Sequence, residues 1–120
     1  MSDELDEFGK LIIKSVRDRA IADARIGFSQ TKTRLGERYT IARKENSFEA
    51  VAKVLIPDVV DTTLFHFLDA VDNGLLTLSF TTADGKKIDL EAAGHGEMAG
   101  WLVGGDWSKA YSTERFFEFY

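Results

Sequence analysis

Apolar residues recur every three or four positions across the first quarter of the chain. Leu5, Phe8, Ile12, Val16, Ala20, Ala24 and Phe28 form one stripe, widened by Ile13 and Ile21. This period predicts an amphipathic helix over residues 3–28, capped by Ser2 or Asp3. The acids of its first turn suit the positive end of the helix dipole. Gly27 is a plausible end, and Gly9 a soft spot. Residues 29–46, "SQTKTRLGERYTIARKEN", are polar and lack a clear period. Within them "RYTIAR" reads equally well as a short strand, with Tyr39 and Ile41 on one face, or as more helix. Regular spacing returns at Ser47, where Phe48, Val51, Ala52 and Leu55 share one face of "SFEAVAKVLI". Pro57 has no backbone N–H and is expected to end or kink this helix. Asp58 can then cap a further helix to residue 73, with a stripe of Val60, Leu64, Phe67, Leu68 and Val71. Asn73-Gly74 is its stop signal.

The period then changes to two. Leu76, Leu78 and Phe80 alternate with Thr77, Ser79 and Thr81, and Ile88 and Leu90 alternate with Lys87, Asp89 and Glu91. This predicts a hairpin over residues 75–91. A two-residue loop at Asp84-Gly85 would set Phe80 opposite Asp89 and mix apolar with charged residues on each face. A three-residue loop, 83–85, sets Phe80 opposite Ile88 and Leu78 opposite Leu90, and gives Gly85 the left-handed position such loops need. The three-residue loop is therefore expected. A lone hairpin is marginal in water, so helices must cover its apolar face. A third strand is expected from "RYTIAR" or from the C-terminal "FFEFY". Glu97 to Val103 reads as two turns of helix ending at Gly104, "GGDW" as a tight turn, and Ser112 or Thr113 as the cap of a final short helix. The pattern predicts one α+β domain over residues 1–120: three N-terminal helices packed on a small antiparallel sheet, with a short C-terminal helix.

Composition narrows the chemistry. Hydrophobic residues are 44% and charged residues 29%, which speaks for a folded chain rather than disorder. There is no cysteine, so disulfides, thiolate metal sites and a cysteine nucleophile are excluded. The start, "MSDELDEF", is acidic and not a signal peptide, and no apolar run is long enough to span a membrane. A soluble, cytoplasmic protein is the expectation. The net charge of −5 is unevenly spread: −4 over residues 1–9, +7 over residues 10–44, and −8 over the rest. The basic block, with Arg17, Arg25, Lys32, Arg34, Arg38, Arg43 and Lys44, could track phosphates, with Tyr39 free to stack. The ordinary reading is that it pairs with the acidic remainder, since a dedicated nucleic-acid binder is usually basic throughout.

His66 lies mid-helix, with Asp69 three residues on and Asp72 in the next turn. His95 and Glu97 lie together in "EAAGHGEM". Were His66, Asp69, His95 and Glu97 to converge they could hold a metal, but no His-pair spacing supports it, and no metal or cofactor is expected. A small enzyme using His66 or His95 with carboxylates as general acid and base stays open as an alternative. There is no G-x-S-x-G elbow. "GHGEMAG" misses the dinucleotide fingerprint by one residue, and "VGGDW" is no P-loop.

Both tryptophans and five of the ten glycines fall in residues 94–120. Trp101 reads first as a lid on the open end of the hairpin. Trp107 and Tyr111, flanked by Asp106 and Lys109 on glycine-hinged backbone, have the composition of an interface hot spot. Residues 58–117, "VVDTTLFHFLDAVDNG" followed by a hairpin and "GEMAGWL…GDW…YSTERF", resemble a group of small bacterial proteins of no assigned function. That group shares a G-E-x-x-G-W turn, a D-W element and a terminal Y-S-x-E-R-F, and some of its members look like toxin-immunity proteins. The resemblance implies an inhibitor that binds a toxin, and it carries no catalytic residues to transfer. The function expected is thus a non-enzymatic protein-binding domain. Its contact residues would be Trp107, Tyr111, Asp106, Lys109 and Trp101, and its partner a basic toxin such as a nuclease. A nucleic-acid-binding module on residues 10–44 is the third reading. A homodimer is a further expectation, through the hairpin edge or the first helix.

Overall fold

The computed structural model describes residues 3–29, 33–45 and 47–114. The first stripe forms one continuous helical rod: α1 (Asp3–Leu11), a π-helical turn (Ile12–Arg17) and α2 (Asp18–Ser29). In the π turn the Asp18 N–H donates to the Ile13 carbonyl, five residues back. Val16 and Ala20 from this rod are buried, while α1 packs mainly on the π turn that continues it.

The polar stretch is helical, not a strand. α3 (Arg34–Lys44) begins at Thr33, whose hydroxyl accepts the Gly36 N–H at 2.9 Å. "RYTIAR" lies wholly inside it, so it supplies no third strand. Its pattern is ambiguous because, among the residues whose burial is described, α3 is buried along a narrow line: Gly36, Tyr39 and Ala42, with Arg38 and Thr40 half-covered. The other candidate, "FFEFY", lies outside the described residues, and the described sheet has two strands.

The two helices expected on either side of Pro57 are one, α4 (Phe48–Asp72), capped by Ser47. The Ser47 hydroxyl accepts the Ala50 N–H at 3.0 Å. Asp58 therefore caps nothing. Pro57 stays within the helix because packing holds α4 on both sides of it: α3 lies along residues 49–58 and α2 meets it at His66, with α6 beyond. At the predicted Asn73-Gly74 stop the chain curls back, and the Leu75 and Leu76 N–H groups both donate to the Ala70 carbonyl. That places Leu76 in the core with Val16, Ala70, Val71 and Met98, flanked by Phe67, Leu68, Leu78, Leu90 and Trp101.

The hairpin has the three-residue loop. Strands β1 (Ser79–Thr81) and β2 (Lys87–Asp89) pair antiparallel, with Phe80 opposite Ile88. The Thr82 N–H donates to the Lys86 carbonyl, and Gly85 takes a φ of 90°. The ladder is shorter than the span 75–91, because the alternation beyond Asp89 is not strand. Asp89 instead caps α5 (Leu90–Gly94), accepting the Ala92 N–H at 3.1 Å. Two short helices close the described chain, α6 (Met98–Val103) and α7 (Asp106–Tyr111). "GGDW" is thus a junction whose last two residues open a helix. Gly105 makes that junction at a φ of 82°, where a side chain would be strained. No helix is long and apolar enough to cross a membrane among the described residues.

Candidate functional site

α6 packs on α4 and carries α7 beside it, and a carboxylate from the end of α4 caps its start. Glu97 makes no side-chain cap at the start of α6. Asp72, from the last turn of α4, does so across space. It accepts the Met98 N–H at 3.3 Å and the Ala99 N–H at 2.9 Å. Trp101 then turns inward against the core cluster of Val16, Ala70, Val71, Leu76 and Met98. Trp107 stands edge-on to it, with ring centroids 5.8 Å apart and an interplanar angle of 64°. Trp101 is half-buried, whereas Trp107 is 37% and Tyr111 82% exposed. Trp107 and Tyr111 sit four residues apart, so they share one face of α7. Asp106 and Lys109 are also exposed. The five residues singled out in the sequence thus form a local group on α6 and α7, with Trp101 as support and the other four facing water.

Beside this group runs a groove between α4 and α7, of about 700 Å³. Ile56, Pro57 and Val60 of α4 line one wall, and Ser108 and Ser112 the other. Glu49, Asp61 and Glu114 also line it, with Lys53 as the one basic side chain among the described residues. Burial first, and then the charge of Asp58, push the Asp61 carboxyl above the usual aspartate range. The groove is absent from the sequence reading because it joins helix positions about fifty residues apart. The visible trace was the apolar pair Ile56 and Val60, which the stripe of α4 had assigned in part to the core.

The histidines do not converge with the carboxylates expected around them. Asp69 accepts from the Asn73 amide, and Asp72 caps α6. His66 turns instead to α2, where its Nε2 lies 3.0 Å from Asp23 Oδ2. Its Nδ1 is buried with no hydrogen-bond partner among the described residues. In the tautomer with hydrogen on Nε2 the ring donates to Asp23, and what stays unmet at Nδ1 is a lone pair rather than an N–H. His95 is exposed and takes a left-handed φ of 52° at the end of α5. Among the described residues no three of His, Asp and Glu are placed to hold a metal ion. Neither histidine lines the α4–α7 groove or the cavity of about 490 Å³ between α3 and the start of α4.

The basic block is partly committed within the fold. Tyr39 is not free to stack on a base: it is fully buried, 4.6 Å from the Phe28 ring. Its hydroxyl donates to Asp58 Oδ2 at 2.7 Å, and burial, then that bond, push it well above the ordinary tyrosine range. Arg43 lies over Phe28, its guanidinium carbon 4.6 Å from the ring centroid, and donates to the Phe28 carbonyl at 2.6 Å. It closes the end of α2 as a cation suited to the negative end of a helix. Arg17 pairs with its neighbour Asp18 at 2.9 Å, both exposed. Arg25 and Lys44 face solvent, while Lys32 and the side chain of Arg34 lie outside the described residues. Comparison of the chain with models of known protein families, with curated proteins and with solved structures finds no match in any of the three.

Proposed function

We propose that this chain is a non-enzymatic protein-binding domain whose contact surface is the outer face of α7. In its narrower form, which rests on the resemblance of residues 58–117, it is an immunity-type inhibitor of a basic bacterial toxin. The observation that carries the reading is the pair Trp107 and Tyr111, exposed one turn apart on a short helix. Trp107 is held from behind by Trp101. A rigid aromatic anchor with a second ring beside it and charges at its rim is the usual make-up of an interface hot spot. The −8 charge of residues 45–120 favours a cationic partner through faster encounter.

The test is capture of a partner from the native cell extract, at low and moderate salt, by the native chain and by a Trp107→Ala/Tyr111→Ala double variant. A stoichiometric basic protein is expected on the native chain, with affinity at least tenfold weaker for the double variant. No partner at either salt, or a partner indifferent to the double variant, would end the proposal.

A further inference from the structure

The groove between α4 and α7 differs from the α7 face in its chemistry. Its floor is apolar, and Ile56 and Val60 are 61% and 52% exposed. Among the described residues, three carboxylates, Glu49, Asp61 and Glu114, stand along it against one ammonium, Lys53. Apolar floor and anionic sides together set what fits. Phosphate and acidic peptides meet repulsion. A wholly apolar occupant would strip water from the carboxylates and return nothing. A segment with aliphatic side chains on one side and arginine or lysine on the other satisfies both.

Resting on the protein-binding reading, we infer that this groove takes a short amphipathic, cationic segment of the partner protein, next to the aromatic anchor on α7. The aliphatic side chains lie on Ile56 and Val60, and the cationic groups reach Asp61, Glu114 and Glu49. A cation beside Asp61 also relieves the repulsion it feels from Asp58. The groove volume lies within the range of about 300–1,000 Å³ usual for binding clefts.

The probe is a fluorescein-labelled ten-residue peptide of leucine and arginine in amphipathic order, titrated into the full chain and read by anisotropy. Its counterpart carries glutamate in place of arginine. The arginine peptide should bind, weaken as salt rises, and outbind the glutamate peptide at least tenfold. Asp61→Asn/Glu114→Gln and Val60→Ser should each cost it about tenfold. Asp84→Asn/Glu97→Gln changes net charge equally but away from the groove, and should change binding less than twofold. Equal weakening by that control pair would reduce the effect to net charge and overturn the inference. So would indifference to Val60→Ser, or a dimer that Val60→Ser dissociates in sedimentation, which would give the groove to a second copy. A tenfold gain on Phe116→Ser/Phe117→Ser would give it to the end of this chain and overturn it likewise. Urea unfolding shows whether each variant is folded. The Trp107→Ala/Tyr111→Ala variant separates the two proposals: absent peptide binding with partner capture still lost leaves the α7 surface standing and sinks the groove.

Discussion

The hydroxyl of Tyr39 and the carboxylate of Asp58 meet between α3 and α4, and neither would lie there alone. Asp58 is held above its usual range chiefly by burial, which outweighs the hydrogen bonds from Tyr39 and Thr62. Tyr39→Phe removes the 2.7 Å bond and leaves only the 3.5 Å contact from Thr62. It is expected to cost about 1–3 kcal/mol in urea unfolding, the penalty of a poorly satisfied buried acceptor. Asp61 permits a test of sign. Its folded-state carboxyl holds its proton to higher pH than in the unfolded chain. Folding therefore takes up protons between the usual aspartate range and the raised value, and stability falls as pH rises through that window. Above it the full penalty persists. Asp61→Asn should accordingly be more stable than the native chain at neutral pH, by a small margin because the side chain is exposed and water screens the penalty. The difference should vanish below the usual aspartate range, as unfolding midpoints across pH will show. An Asn variant that is less stable at pH 7 would mean that an attraction to Lys53 outweighs the burial.

Among the elements, α4 is the one on which the others are assembled. It carries proline in its interior, which removes one hydrogen bond and crowds the preceding turn. Substituting Pro57→Ala restores an N–H to the Lys53 carbonyl and is expected to stabilise the chain by about 1–3 kcal/mol. Thermal and urea unfolding measure it. The opposite sign would mean that the packing of α4 on α2, α3 and α6 requires a bend at residue 57.

At the scale of the molecule, surface is in excess. The chain exposes 8455 Å², against roughly 6,500 Å² for a compact chain of this size. Its radius of gyration is 16.7 Å, against about 14 Å. Its extents are 48 × 34 × 22 Å. The difference in area is comparable to what one side of a large permanent interface buries. Stability alone is therefore expected at the low end, about 5 kcal/mol or less, and to rise with a saturating partner. Differential scanning fluorimetry with the captured partner should show an upward shift of several degrees in Tm. A high unfolding temperature for the lone chain, unmoved by the partner, would argue that the exposed faces are tolerated surface.

Local order was legible in the residues wherever one signal acted alone. The stripe from Ile12 to Phe28, the Ser47 cap, the Asn73-Gly74 stop and the pairing of Phe80 with Ile88 follow from period, cap chemistry and loop geometry, all of which operate within a few positions. Three things were decided only in space. Pro57 remained helical because packing on both flanks outweighed its local cost. "RYTIAR" became a helix because one narrow buried line, with Tyr39 meeting Asp58, sufficed between two neighbours. Asp72 left the expected company of His66 for the first turn of α6, and the α4–α7 groove came into being with that placement. A short-range pattern can specify an element, but which unsatisfied donor a carboxylate meets depends on the distance between elements, and the alternation of residues does not encode that distance.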